Sequence, residues 1–533
     1  MPNPTRRAAT ALVALLLAGP ALAQPQPQAQ PQSPAATPAP AEPATRPSQE
    51  EVQASLDAIG AADTRRLLSD RAYAGAMLGH LDRIAPYMSD DATAGHAVRN
   101  MRLLALVTLE RPADATPIVD EIIAERPNDP GHYAAPWLAA LNFRDFPRAV
   151  ALIETASRAV PGVRWATLRA MLDRQTVNGL LFELKNEAGN PDRVRFADAL
   201  FRIGWPGDGD MESSDYIRSI LIEDRLAAGD PAAARGYAEG ISTLRNTVNL
   251  LLGRRYDQVL PAGADRLAML RTAIERQDRA TREALAGSPG DMLRIVDRSN
   301  YLRSLARAEE ALALVQPHLA DVPATAANGE HGMWVVMEGA SALSSLGRQD
   351  EALALMDRVA ALPLAGNPSL ISLRINHLGM LWEAGRNEEV LRRADTLDAE
   401  GDRFASDYGK AWIVAARVCA LGALGRGGET APLVERLRGW SEINPAALSN
   451  AYLCLGDEAA VAALMVRRLE GADPATAIQA LQDYTLGGDA RGPSAALQQR
   501  TAAVRDRPEV RAALERVGHR LTLPLSRRYW VEY

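Results

Sequence analysis

A six-residue box recurs along this chain about every 40 residues, and it confines the fold to helices joined in pairs. The copies are Arg144-Asp-Phe-Pro-Arg-Ala149, Gly189-Asn-Pro-Asp-Arg-Val194, Gly229-Asp-Pro-Ala-Ala-Ala234, Ala306-Arg-Ala-Glu-Glu-Ala311, Gly347-Arg-Gln-Asp-Glu-Ala352, Gly385-Arg-Asn-Glu-Glu-Val390 and Gly425-Arg-Gly-Gly-Glu-Thr430. A weaker candidate is Gly253-Arg-Arg-Tyr-Asp-Gln258. Gly189, Gly229, Gly347, Gly385 and Gly425 suit the end of a helix, because glycine takes the left-handed conformation without a Cβ clash. Acidic residues or proline follow, where a new helix exposes free N–H groups and the positive end of its dipole. A small residue then lets the two helices approach closely. The last four starts lie 41, 38 and 40 residues apart, and the first three 45 and 40.

Composition agrees with helix. Hydrophobic residues make up 47% of the 533 but aromatics only 5%, so the apolar content is mainly Ala and Leu. Both lose little rotamer freedom in a helix. Period-two runs of Val, Ile and Thr, the mark of half-buried strands, are nearly absent. The expected class is all-α. A chain this long outgrows a single globular core and must divide or extend in one dimension.

The box and its surroundings resemble the tetratricopeptide-repeat family, whose unit is a 34-residue helix–turn–helix. Ala340, Leu343, Gly347, Ala352 and Met356 stand at that family's small, large, glycine, small and large-apolar positions; Leu378, Leu381, Gly385, Val390 and Ala394 form a looser copy. The resemblance covers roughly residues 130 to 460. It departs from the family in a period nearer 40 and in lacking most of the aromatics at the second-helix entry. It implies a right-handed superhelix (α-solenoid) of stacked helix–turn–helix repeats, placed here over residues 50–520. It also implies a groove lined by the first helix of each pair, and a scaffold or adaptor role.

The first 23 residues read as a secretory signal: Arg6 and Arg7, an apolar run from Ala8 to Ala18, and a cut after Ala23 in Ala21-Leu22-Ala23. Cleavage removes two Arg and no acid, taking the net charge from -7 to -9. Residues 24–49 are a Pro/Gln/Ala-rich linker, expected to be disordered and inclined to polyproline II. No other segment reads as able to cross a membrane. The expected location is periplasmic or secreted.

Partners follow from charge and from missing motifs. Lys185 and Lys410 are the only lysines, but 66 acids outnumber 59 bases and no long cationic block occurs, so nucleic acid is not expected. No P-loop, G-x-G-x-x-G, G-x-S-x-G or H-E-x-x-H stretch occurs. His80, His96, His132, His318, His331, His377 and His519 are scattered singly. The expectation is no enzyme, with no catalytic residue, cofactor or metal ligand to name. The acidic stretch Asp208, Asp210, Glu212 and Asp215 resembles the start of a calcium loop, but Ser213 and Ser219 stand where glycine and glutamate belong, which favours a capped loop. Cys419 and Cys454, 35 positions apart, read first as two buried thiols and alternatively as a bridge between repeats.

Trp334 and Trp412 share a register and are candidate partner contacts, but Trp382 occupies another, which favours ordinary core packing. Residues 521–533 break the helical pattern at Pro524 and bring Tyr529, Trp530 and Tyr533 together, as a cap on the open end of the stack or a docking tail. The function expected is an exported scaffold binding other proteins of the cell envelope. A peptidoglycan-acting enzyme with a helical superhelix and a small-molecule binding protein are the alternatives.

Overall fold

A computed structural model of the chain describes residues 47–88, 92–185, 190–207, 210–364, 367, 369–487 and 492–530. The signal segment and nearly all of the linker lie outside these residues, as do Gly189, Asp208 and Tyr533. The fold is all-α: 29 α-helices and one two-stranded sheet among the described residues. No described helix is long and apolar enough to cross a membrane. The chain divides into two compact units, with the boundary between Asp224 and Arg225.

Unit 1 begins with α1 (Gln49–Gly60), α2 (Thr64–Ser69), α3 (Arg71–Met88), α4 (Ala92–Thr108), α5 (Pro112–Glu125) and α6 (Gly131–Asn142). It continues through α7 (Phe146–Ala159), α8 (Trp165–Ala170), α9 (Arg174–Glu183) and α10 (Pro191–Arg202), and α11 (Met211–Ala227) follows. Helices pack on their neighbours in sequence, as α3 on α4 and α6 on α7, and α7 also packs on α10 across the short α8 and α9. Ile84, Leu103, Ile122, Ile153 and Leu200 are fully buried along the way.

Unit 2 opens with α12 (Pro231–Ala238), α13 (Leu244–Leu252), α14 (Arg266–Gly287), α15 (Met292–Ser304), α16 (Ala308–Val315) and α17 (Val322–Ala326). The most regular pairs follow: α18 (Gly329–Ser345) with α19 (Gln349–Ala360), α20 (Leu370–Glu383) with α21 (Asn387–Phe404), α22 (Asp407–Ala423) with α23 (Ala431–Gly439), and α24 (Pro445–Leu455) with α25 (Glu458–Glu470). Then come α26 (Ala475–Ala480), β1 (Asp483–Leu486), α27 (Pro493–Arg505), α28 (Pro508–Val517), β2 (Thr522–Ser526) and α29 (Arg527–Trp530). Ala340, Leu343, Ala352 and Met356 are all buried. A fully buried leucine of this kind contributes roughly 1.5–3 kcal/mol. Gly339 has no room for a Cβ, which would stand 2.7 Å from the Leu319 side chain, so glycine sets how closely α18 is approached.

The box becomes one repeated turn. At Glu110, Arg144, Gly204, Gly229, Ala306, Gly347, Gly385, Gly425 and Gly456 the backbone has positive φ. In every one of these turns the next N–H donates to the carbonyl four residues before the left-handed one, as Arg348 to Leu343 and Asp457 to Tyr452. This doubly bonded C-terminal turn satisfies carbonyls that a helix end leaves free. Except after Gly204, where Trp205 follows, the residue after the turn starts the next helix in one of two ways. Asp145, Asp230 and Asp457 accept the N–H three residues on. Arg307, Arg348 and Arg426 instead fork onto Glu310, Glu351 and Glu429, with both N–H···O contacts between 2.5 and 2.8 Å. Arg111 and Arg386 pair with Asp114 and Glu389 in the same spacing. Gly253 is a correction: its φ is -83°, it ends α13 in an extended conformation, and it pairs with Gly518.

Cys419 on α22 and Cys454 on α24 are joined as a disulfide, with Cα atoms 5.0 Å apart, which corrects the reading of two free thiols. The bridge links the first helices of two adjacent pairs. Closing a loop of 35 residues contributes about 4 kcal/mol on the chain-entropy account.

Unit 2 also joins its own ends. The His519 N–H donates to the Leu252 carbonyl (2.8 Å), and His519 Nε2 lies 2.8 Å from Asp257 Oδ1, which also accepts from Arg266 at 2.7 Å. Gln479 bonds Asn249 beside them, where α26 packs on α13. β1 and β2 pair in parallel, Asp483 opposite Thr522 and Tyr484 opposite Leu523.

Candidate functional site

The side chains singled out as partner contacts are largely used within the protein. Trp334 and Trp412 are half-buried against the core of unit 2, which matches the packing alternative. Trp334 donates to Glu330 at 3.3 Å. Trp530 is 7% exposed, with the Arg245 guanidinium 5.5 Å over its ring, and Tyr529 meets it edge-on with centroids 5.7 Å apart. Tyr529 also lies under Arg303, whose guanidinium donates to buried Glu338 at 2.7 Å. Arg528 bonds Ser344 at the end of α18 and Glu383 at the end of α20. The tail thus reaches the first helices of pairs in the middle of unit 2, where a cap on the last pair was the expectation. Tyr533 lies outside the described residues.

The acidic stretch resolves as a helix start. Asp210 accepts the Ser213 N–H at 3.1 Å and the Ser213 hydroxyl at 2.8 Å, and α11 begins at Met211. Its carboxylate is committed to that cap and to Arg174, 3.4 Å away.

Chemistry gathers instead in unit 1, where α4, α5 and α6 meet. The left-handed turn at Glu110 folds α5 back on α4, and the Asp129 carboxylate, accepting the Gly131 N–H at 3.0 Å, starts α6. This brings together His96 from α4, Glu125 from the end of α5 and His132 from α6. One potential ligand atom from each lies within 4.8 Å of the others. The imidazoles stack with centroids 3.7 Å apart and planes 27° from parallel. His96 Nδ1 stands 3.2 Å from one Glu125 oxygen, and Arg99 holds the other. Buried Asn100 lies 2.8 Å from His96 Nε2.

His132 is the unusual member. It is 5% exposed, yet neither ring nitrogen has a hydrogen-bond partner, and its closest acid, Asp129, is 3.8 Å away. Burial, followed by the positive charge His96 would carry, lowers its pKa to about 4. Burial and then Arg99 also lower that of His96. Both rings are therefore neutral near pH 7; the lone pair of His132 is unengaged, while that of His96 accepts from the Asn100 amide.

Unit 2 has a contrasting histidine. His377, 1% exposed, faces the Arg393 guanidinium at 3.2 Å, and that guanidinium bridges Asp357 and Glu389. Burial first and Arg393 second lower its pKa to about 4. A cation already occupies that place.

Sequence reasoning missed the unit 1 cluster because its members stand 29 and 7 residues apart on three helices. No ligand spacing spans such offsets, and only the tertiary turn at Glu110 closes them. No family model matches the sequence.

Proposed function

We propose that this chain is an exported helical-repeat scaffold, similar to tetratricopeptide-repeat proteins, that binds other proteins of the cell envelope. The observation carrying this reading is the repeated pairing: nine left-handed turns of one hydrogen-bond design connect helices through both units. Stacked hairpins of this kind share a continuous core and present long surfaces to partners. Tyr87, Val163 and Phe182 in unit 1 are exposed, at 49%, 90% and 62%, and offer apolar contact points. The tail covers part of the first-helix surface of unit 2, which turns attention for docking to unit 1. The Cys419–Cys454 bridge supports export, since disulfides persist in oxidising compartments.

Cross-linking in cells followed by purification of the full-length chain tests the reading. The expected result is enrichment of a small, reproducible set of envelope proteins, reduced by Phe182→Asp, and a mature N-terminus at Gln24. Recovery of the chain alone, or a product retaining Met1, would count against the scaffold or the export part respectively.

A further inference from the structure

We propose that His96, Glu125 and His132 bind one divalent transition-metal ion of the zinc class. Three observations converge. First, the donor set is two imidazoles and a carboxylate, a combination that binds zinc and similar ions. Second, their ligand atoms are gathered within 4.8 Å, and tetrahedral ligands about 2.1 Å from one ion stand about 3.4 Å apart, so closure of at most about 1.4 Å is needed. Third, His132 is buried with both nitrogens unsatisfied, a state costing roughly 1–3 kcal/mol that coordination would relieve.

Occupancy requires the two rings to turn out of their stack so that a nitrogen of each points at the ion. His132 gives up no hydrogen bond, whereas His96 exchanges its Nδ1 contact with Glu125 for coordination, which moves its proton to Nε2. The Asn100 amide, whose nitrogen now donates to Nε2 at 2.8 Å, must then turn its oxygen toward that N–H to orient the ligating imidazole. Arg99 sits on the far oxygen of Glu125 and leaves the near one for the metal. The carboxylate side chain is 30% exposed, so the ion has a path in and water can complete its shell. The His377 cluster fails the same comparison, because a guanidinium stands where the ion would sit.

The test is a zinc titration of the full chain at pH 7.5 against a chromophoric chelator, with cobalt as a spectroscopic probe. One zinc per chain is expected, with a visible cobalt spectrum showing nitrogen and oxygen ligands. Glu125→Gln and His96→Ala should each weaken binding by more than about 100-fold, and Asn100→Ala by about 10-fold. Glu125→Gln, whose amide oxygen can still face Arg99, should keep the wild-type melting temperature in chelator, so its lost binding reads as a lost ligand. His132→Ala risks the packing of unit 1, and Glu125→Gln decides the matter if that variant does not fold. No stoichiometric binding below about 100 μM zinc, or wild-type affinity in Glu125→Gln and His96→Ala, overturns the proposal.

Discussion

The two units are built with the same turn but hold together differently. In unit 1 the helices pack on neighbours, and side-chain bonds between helices join nearby segments, such as Arg202 to Ser157, 45 residues apart. In unit 2, bonds run from one end of the unit to the other: His519 reaches Asp257, 262 residues away, and Gln479 reaches Asn249, 230 away. The disulfide adds a covalent link inside the same unit. A linear stack can fray from its ends, because each repeat depends only on those beside it. A stack whose ends are joined has no such end, and its elements should open together. Local pairing therefore builds both units, while the last 60 residues decide which kind of cooperativity a unit has.

The sharpest way to break this contrast is to remove the tail. Deleting residues 527–533 takes away Trp530, Tyr529 and the Arg528 bonds to Ser344 and Glu383. Losing one buried tryptophan side chain alone costs about 3–5 kcal/mol. Hydrogen exchange read segment by segment should show protection falling throughout unit 2, including α13, and unchanged protection in unit 1. Faster exchange confined to α27 and α28 would mean that the tail is a local patch and that the ends hold without it.

Acid should act on both units, with an effect next in size. His132 in unit 1 and His377 in unit 2 are each held at about 4, below an ordinary value near 6.5. The unfolded chain then binds more protons between these values, so folding stability is complete above pH 6.5 and falls as the pH drops toward 4. Each histidine contributes roughly 3 kcal/mol over that window. Denaturant melts from pH 7.5 to 4.5, in chelator, should show unit 1 failing first, since no end-to-end closure supports it. His132→Leu should reduce the pH dependence of unit 1, leaving the part due to His96, and leave that of unit 2 unchanged. An unchanged slope in that variant would mean the buried imidazole is protonated without cost.

Much of this was legible in the sequence, and the boundary of legibility is physical. Turn positions are local: Gly347, Gly385 and Gly425 announce themselves, and the turns at Arg144 and Ala306 were recovered without glycine because the acidic or proline-bearing box follows them. Glu110 lacks glycine, although Arg111, Pro112, Asp114 and Ala115 after it match the other boxes. Gly456 carried the full signal, Gly456-Asp-Glu-Ala, and was overlooked. The histidine cluster and the closure of unit 2 depend on residues brought together by several turns in succession, which no periodicity encodes. The disulfide lay between, since 35 residues is one repeat and places both cysteines on first helices, but spacing alone does not say whether they face each other.

The smallest expected effect sharpens the claim that both units share one turn. Ala306 and Glu110 hold left-handed backbone with a Cβ, at φ of 58° and 56°. That conformation costs an L-residue roughly 1–2 kcal/mol, while glycine loses up to about 1 kcal/mol more entropy on folding. Ala306→Gly should therefore stabilise unit 2 by about 0.5 kcal/mol, and Gly347→Ala should destabilise it by about 1 kcal/mol. Glu110→Gly should stabilise unit 1 by a similar margin, because its ion pair with Arg71 is solvent-exposed on both sides. Arg144→Gly should gain less, since Arg144 also lies over the Phe146 ring at 5.5 Å and approaches Glu183. Denaturant melts followed in each unit give the order Ala306→Gly and Glu110→Gly above Arg144→Gly, with Gly347→Ala below wild type. A loss of stability in both of the first two variants would show that these turns are held by something other than the backbone hydrogen bonds they have in common.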